Sequence, residues 1–160
     1  MHRDSKGFSL IELLIVVAII LIIAAIAIPN LLRSRIAANQ ASAVGSIRMV
    51  NTAEITYSSS FGLGFSATLL QLGPPASGPV TASAAGLIDS VLAGGAKSGY
   101  SFTYSPALPD AAGRYNGYTL NGGPTTPGQT GSAYYFTDQT HVIRGNLTGT
   151  ASASDSSVAQ

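Results

Sequence analysis

The chain has no cysteine and no tryptophan among its 160 residues. Disulfide and thiol chemistry are therefore excluded, and the fold must be held by packing or by neighbouring molecules. Charged residues make up only 9% of the sequence, with 8 Lys and Arg against 7 Asp and Glu. Nucleic-acid binding requires a basic stripe or patch, and this near-neutral chain has none, so we expect no direct nucleic-acid partner.

Charge is scarcest between Phe8 and Ile28, where Glu12 is the only ionisable side chain. A helix over this stretch would be about 31 Å long, close to the roughly 30 Å hydrocarbon thickness of a bilayer. His2, Arg3 and Lys6 precede it. Because basic flanks stay in the cytoplasm, we predict a single membrane span over 8–28 with the rest of the chain translocated.

Glu12 needs a specific explanation. A charged side chain in the middle of a membrane helix costs roughly 2.5–3.5 kcal/mol on insertion scales. Intramembrane carboxylates are therefore functional candidates, and a charge partner should exist for this one.

The segment from Lys6 to Val17 reads KGFSLIELLIVV. It resembles the N-terminal signature of type IV prepilins and type II secretion pseudopilins. In that family a prepilin peptidase cuts after the glycine and methylates the new N-terminal residue. The resemblance implies cleavage between Gly7 and Phe8 and N-methylation of Phe8. It also maps the family's carboxylate to Glu12 and its frequent helix-breaking proline to Pro29.

The resemblance implies a structural subunit that enters the inner membrane as a precursor and polymerises into a type IV pilus-like filament. The expected partners are other copies of the chain, the prepilin peptidase and N-methyltransferase, the inner-membrane assembly machinery, and lipid before assembly. The precursor would have a cytoplasmic N-terminus and a periplasmic head, and the filament would be extracellular or periplasmic. A pseudopilin of a type II secretion system is the alternative, and a membrane-anchored adhesin or other binding protein is a further one.

Two other readings of the N-terminus lead to different mature chains. An ordinary secretory signal could be cut after Ala25-Ile26-Ala27, which would leave Ile28 first. An uncleaved single-pass anchor would keep Met1. Neither reading gives Glu12 a role. Cleavage after Gly7 does, because the Glu12 carboxylate of one subunit can neutralise the new Phe8 ammonium of a neighbour and so set the register between them.

We divide the chain into a leader (1–7), a long helix (8–57), a globular head (58–145) and a flexible tail (146–160). Pro29 should kink or locally melt the helix, because proline has no N–H and its ring clashes with the preceding turn. Apolar residues then recur at helical spacing in 29–57, which predicts an amphipathic half that packs on the head. These residues are Leu32, Ile36, Val44, Ile47 and Ile55.

The head should combine short helices with a small antiparallel sheet. Leu69–Leu72 and Ala85–Leu92 are predicted helices, the first with Ser66 as its cap. Tyr100, Phe102 and Tyr104 alternate with small polar residues, which indicates a half-buried strand. Further strands are expected at 114–120, 133–137 and 141–144, with a loop over 121–132. The predicted fold is therefore α+β and pilin-like, a long N-terminal helix with a hydrophobic first half, packed against a three- or four-stranded sheet.

The sequence offers no catalytic, metal or cofactor site. Asp138 and His141 lie near many serines, but no Gly-x-Ser-x-Gly elbow accompanies them. The chain lacks a His/Cys cluster for zinc and a phosphate-binding glycine loop. Asp138 is the only carboxylate near the late loops before the tail, so calcium is not expected. We therefore predict a protein that is not an enzyme.

Overall fold

The structure is a computed structural model and describes residues 8–158. The predicted leader 1–7, with Gly7, lies outside the described residues. The chain divides into two compact units, Met1–Arg35 and Ile36–Gln160.

The described chain contains one long helix, a helical region of short pieces and one antiparallel sheet, which confirms the predicted α+β, pilin-like arrangement. The sheet has five strands in the order β1-β2-β3-β4-β5, each antiparallel to the next. The elements are α1 (Leu10–Phe61), a 3₁₀ helix (Leu69–Leu72), α2 (Ser90–Ala93), β1 (Ala96–Lys97), β2 (Tyr100–Pro109), β3 (Tyr115–Pro124), β4 (Tyr134–Asp138) and β5 (Arg144–Asn146).

Within the second unit, α1 buries one face in the head. Ala43, Ile47, Val50 and Tyr57 follow each other at intervals of four, three and seven residues, so they lie on one stripe of the helix. All four belong to the main core cluster. Ile55, which we expected on the apolar stripe, is 53% exposed, because it lies outside this stripe.

The inner face of the sheet is aromatic, as the alternating pattern predicts. Tyr100 and Phe102 in β2 and Tyr135 in β4 are buried in the same core cluster as α1. Ser101 and Thr103 lie on the opposite face and are exposed. The alternation follows from the two-residue repeat of a strand.

Helix boundaries in the head differ from the prediction. The cap of the 3₁₀ helix is Thr68, whose hydroxyl accepts from the N–H of Gln71, and not Ser66. Ser66 is fully buried and binds a side chain of α1 instead. The predicted helix at 85–92 shrinks to Ser90–Ala93, because Asp89 caps it by accepting from the N–H of Leu92.

α1 continues four residues beyond the predicted end at 57. The helix includes the serines at 58–60 and ends at Phe61, whose ring lies 5.1 Å from that of Tyr57. Gly62 then adopts a φ of 65°, a left-handed conformation that suits glycine at a helix end.

β3 is longer than predicted and takes Asn121–Pro124 from the expected loop. Two glycines make this possible. A Cβ on Gly122 would lie 3.2 Å from the Phe102 ring, a tight contact, so glycine lets the strand run closely over the aromatic core. β5 begins at Arg144 and not at His141, since His141 has a φ of 62° and ends a turn from Asp138.

The segment expected to be a flexible tail folds back on β5. The N–H of Val158 bonds to the carbonyl of Ile143 at 2.8 Å, and the N–H of Gly145 bonds to the carbonyl of Ser156 at 3.0 Å. Ala151 is only 3% exposed. The sequence of this segment is rich in Ser and Ala and has no apolar periodicity, so it does not predict this strand-like pairing.

Candidate assembly site

The first turn of α1 places Glu12 back towards the chain start. The N–H of Ser9 donates to Oε2 of Glu12 at 2.9 Å, and the N–H of Leu13 donates to the Ser9 carbonyl at 3.2 Å. Ser9 and Glu12 therefore match the Ser-x-x-Glu pattern of a helix capping box. An acidic side chain also suits the positive end of the helix dipole.

Phe8 lies immediately before this turn and is 83% exposed. Phe8 and Glu12 therefore lie at the same end of α1. Only Oε2 of Glu12 takes part in the bond to Ser9, which leaves Oε1 available for a second donor.

The following surface of α1 is apolar and uncovered. Large apolar side chains from Leu10 to Ile28 are 45–76% exposed. None of the most apolar 18-residue stretch is buried, and this helix is long and apolar enough to cross a membrane. Complete burial of one such side chain is worth about 1.5–3 kcal/mol, so the surface requires lipid or protein around it.

Pro29 lies inside α1, and the helix continues through it. The proline removes the N–H that would bond to the carbonyl four residues earlier. Whether the axis bends at Pro29 stays a prediction. Arg33 and Arg35, in the next turns, are exposed, and neither forms an ion pair within residues 8–158.

Within the second unit, a buried carboxylate of α1 is hydrogen-bonded to the head. Glu54 is fully buried, and it accepts from the Ser66 N–H at 2.9 Å and from the Ser66 hydroxyl at 2.6 Å. The Tyr104 hydroxyl donates to the Ser66 carbonyl at 2.8 Å. Burial raises the pKa of Tyr104 far above its ordinary value, and the nearby Glu54 carboxylate raises it further.

A buried amide on the same helix holds the sheet. Oδ1 of Asn51 accepts from the Tyr118 hydroxyl at 2.9 Å, and its Nδ2 donates to the His141 carbonyl at 3.2 Å and to Thr137 Oγ1 at 3.1 Å. Burial raises the pKa of Tyr118 as well. Asn51 thus joins β3, β4 and the turn before β5 to one point of α1.

The outer face of α1 in the second unit is lined by small and polar side chains around a shallow groove. Gly45 has no atom within 4 Å of the position where a Cβ would stand. Met49 beside it is 42% exposed. The groove is lined by Gly45, Arg48, Met49, Thr52, Ala53, Thr56 and Leu87.

The structure gives no support to a catalytic relay of Asp138 and His141. Oδ1 of Asp138 accepts from both the N–H and the hydroxyl of Thr140. Nε2 of His141 is buried without a hydrogen-bond partner. Within the described part of the chain, no group of three or more His, Cys, Asp or Glu side chains could hold a metal ion.

The assembly roles of Phe8 and Glu12 stay predictions from the sequence, and the structure adds three groups that the sequence analysis did not name. The Ser9–Glu12 capping pattern is readable from the sequence alone. Glu54 and Asn51 could not be recognised, since their partners Ser66 and Tyr118 lie 12 and 67 residues further along the chain.

Comparison with known proteins adds information on the N-terminal part. A family model described as the prokaryotic N-terminal methylation motif matches residues 2–28. The type IV wide pilus major component PilA4 of Thermus thermophilus is 68% identical over 37 residues, which is 23% of this chain. The match covers 28% of the length of that protein. No solved structure matches the chain.

The family-model match and the geometry described above concern the same part of the chain. The matched segment contains Phe8, the Ser9–Glu12 turn and the uncovered apolar surface. The chain carries a type IV pilin-family signature at its N-terminus.

Proposed function

We propose that this chain is the repeating structural subunit of a type IV pilus-like filament. The observation that carries the proposal is the uncovered apolar surface of α1 from Leu10 to Ile28, interrupted only by Glu12. Lipid covers this surface in the precursor, and the helices of other copies cover it in the filament. The signature shared with a major pilus component supports a subunit role rather than an enzymatic one.

Processing prepares the assembly contact. A prepilin peptidase in the inner membrane cuts between Gly7 and Phe8 and methylates the Phe8 amine. The new ammonium is created four positions before Glu12. A buried carboxylate is tolerated only when it is paired and hydrogen-bonded. In the filament, Oε1 of Glu12 in one subunit accepts from the Phe8 ammonium of its neighbour, while Oε2 keeps its bond to Ser9.

The same contact sets the axial register of neighbouring helices. Apolar side chains slide past one another at little cost, whereas a displaced ion pair leaves two charges uncompensated in an apolar core. Glu12 therefore selects one offset between subunits. The helix end at Phe8 stays on the cytoplasmic side before assembly, and the head lies on the periplasmic side.

A pseudopilin of a type II secretion system would use the same segment in the same way. Deletion of the gene separates the two functions. Loss of surface filaments with normal protein export supports a pilus, whereas retained surface filaments with blocked export support a pseudopilus.

The test of the proposal is the intact mass of the chain, purified once from the inner membrane and once from sheared filaments. The proposal requires a filament chain that begins at N-methylated Phe8. A filament fraction without the chain, or a chain that begins at Met1 or Ile28, would contradict it. The membrane fraction of a peptidase-deficient strain is the control and should contain only the chain from Met1.

A further inference from the structure

The outer face of the head sheet contains a cleft that the assembly contact does not use. It has a volume of about 210 Å³ and lies across β2, β3 and β4, opposite the side that packs on α1. The C-terminal segment at Thr150 and Ala151 forms one wall. One wall of the cleft therefore depends on the C-terminal segment that folds back on the sheet.

The wall chemistry is polar but neutral. The cleft is lined by the hydroxyl-bearing residues Ser101, Thr103 and Thr150, together with Asn121 and Tyr134. No Asp, Glu, Lys, Arg or His lines it. Anions, cations and metal ions find no compensating charge here, and a charged ligand would lose its hydration without replacement. This set of lining residues favours an uncharged ligand that both donates and accepts hydrogen bonds.

Asn121 supplies an unmet acceptor. Its Oδ1 is buried and has no hydrogen-bond partner. A buried acceptor without a donor is disfavoured, and such groups in native proteins call for an explanation. Asn121 also lines the cleft, and because the terminal torsion of an asparagine side chain is broad, rotation about it allows this oxygen to face a ligand there. A ligand hydroxyl there would supply the missing donor.

Gly123 and Tyr134 supply a flat apolar wall. A Cβ on Gly123 would lie 3.2 Å from Cδ1 of Tyr134, so the ring lies directly over the glycine backbone. An aromatic ring beside a few convergent polar groups is the usual composition of a small-molecule site. The volume is below the roughly 300–1,000 Å³ of drug-sized sites, so it suits a single ring.

We propose that this cleft binds one neutral pyranose unit of a saccharide. The apolar face of the sugar ring packs on Tyr134, and its hydroxyls bond to Asn121 and Thr103. This binding goes beyond the proposed filament role and does not depend on it, because every group involved lies in the head.

Saturation-transfer NMR on the full chain in lipid nanodiscs tests the proposal. The probes are methyl α-D-glucopyranoside and methyl α-D-galactopyranoside, with D-glucuronate as the charged comparison. Methyl-labelled Thr and Ala report the location, because Thr103, Thr150 and Ala151 line the cleft and Ala43 lies in the main core. For so small a ligand we expect a dissociation constant on the order of 1 mM for at least one pyranoside and weaker binding of glucuronate.

Variants then tie binding to the cleft. Gly123→Val fills the space over Tyr134 and should abolish saturation transfer. Thr103→Val keeps the side-chain volume and removes the hydroxyl, and Asn121→Ala removes the unmet acceptor; each should weaken binding about fivefold. Ser105→Ala, on the same face of β2 but outside the cleft, is the matched control and should bind normally.

The methyl resonance of Ala43 shows whether each variant is folded. Transfer in the natural chain with shifts at Thr103 and Ala151, lost in folded Gly123→Val and reduced in Thr103→Val or Asn121→Ala, supports the proposal. Absence of transfer from both pyranosides to the natural chain would mean that the cleft holds water only and would overturn it. Equal transfer to the natural chain, Thr103→Val and Asn121→Ala would also overturn it.

Discussion

Ser66 donates both its N–H and its hydroxyl to the carboxylate of Glu54, at 2.9 Å and 2.6 Å. Both residues are fully buried. This pair joins α1 to the segment that follows it and is supported by Tyr104, whose hydroxyl donates to the Ser66 carbonyl. A carboxylate inside the head is thus satisfied by donors and not by a cation.

Glu54→Ala should lower the free energy of unfolding of the head by about 1–3 kcal/mol, because it leaves the buried N–H of Ser66 without an acceptor. The Ser66 hydroxyl keeps only its longer contact to the Tyr104 hydroxyl, at 3.2 Å. Ser66→Ala removes the hydroxyl alone and should cost about 1–3 kcal/mol. Denaturant unfolding in detergent, followed by the near-ultraviolet signal of the tyrosines, measures both. A double-mutant cycle should give a coupling energy above about 0.5 kcal/mol. Additive effects would contradict the direct contact.

Asn51→Leu tests the amide that joins α1 to the sheet. The substitution leaves the buried hydroxyls of Tyr118 and Thr137 without their hydrogen-bond partner, and it should lower the free energy of unfolding by about 2 kcal/mol or more. Thr52→Ala is the neighbouring control: Thr52 is exposed, and its hydroxyl bonds only within the helix. We expect a change of less than about 0.5 kcal/mol there. Equal unfolding free energies for the two variants would show that Asn51 does not hold the sheet.

Replacement of glycine by alanine should change the stability of the head in opposite directions at two positions. Gly64 has a φ of 77°, and a Cβ there would collide with the Tyr115 carbonyl oxygen. Gly64→Ala should destabilise the head by more than about 1 kcal/mol. Gly45 is helical, exposed and has open space around it. Gly45→Ala should stabilise the head by up to about 1 kcal/mol. Thermal unfolding of both variants against the natural chain is the measurement.

Acid should loosen the C-terminal segment before the core. Hydrogen bonds from the N–H and hydroxyl of Ser152 hold the pKa of Asp155 below its ordinary value of 3.8. A carboxylate with a depressed pKa in the folded state stabilises the fold above its unfolded pKa. That contribution is lost as the pH falls through the folded pKa. Between about pH 6 and pH 4 little should change, and below about pH 3.8 the segment should open.

Amide hydrogen exchange at Gly145 and Val158 reports this opening, since both N–H groups pair β5 with the C-terminal segment. Exchange should accelerate below about pH 3.8, relative to the intrinsic rate, while that of the core amide of Ile47 does not. In Asp155→Asn the acceleration should be present already at neutral pH. Protection that is independent of pH in the natural chain would contradict the assignment to Asp155.

The sequence predicts best where one local pattern decides the structure. The apolar run with Glu12 follows from its length and lack of charge. The alternation of Tyr100 and Phe102 and the helical stripe through Ile47 each follow from a single periodicity. The predictions fail where a distant partner overrides the local signal. The sequence around Ser66 predicts a helix cap. In the structure Ser66 instead donates two hydrogen bonds to the buried Glu54 carboxylate, and Thr68 caps the 3₁₀ helix.

The same reasoning explains the C-terminal differences. Gly122 and Gly123 look like a loop, yet they let the Phe102 and Tyr134 rings lie closely over the two faces of β3. Residues 151–158 carry no apolar period, and their order comes from pairing with β5, which composition does not reveal. The cleft walled by this segment was therefore also beyond sequence reasoning.

Glu12 has two possible contributions that one pair of variants separates. It caps the helix by accepting from the Ser9 N–H, and in the proposed filament it neutralises the Phe8 ammonium of a neighbour. A glutamine can still accept from the Ser9 N–H, because capping boxes use Glu or Gln. It carries no charge, so Glu12→Gln keeps the cap and removes the ion pair. Glu12→Val removes both.

The most direct measurement is the yield of sheared filaments from cells that express the natural chain, Glu12→Gln or Glu12→Val at equal membrane levels. Membrane insertion and cleavage after Gly7, followed by intact mass, should be normal in all three. If Glu12 pairs with the Phe8 ammonium of a neighbour, Glu12→Gln and Glu12→Val should both lose filaments, by about tenfold or more. A filament yield from Glu12→Gln equal to that of the natural chain would contradict the intermolecular ion pair and leave Glu12 only its role as a cap.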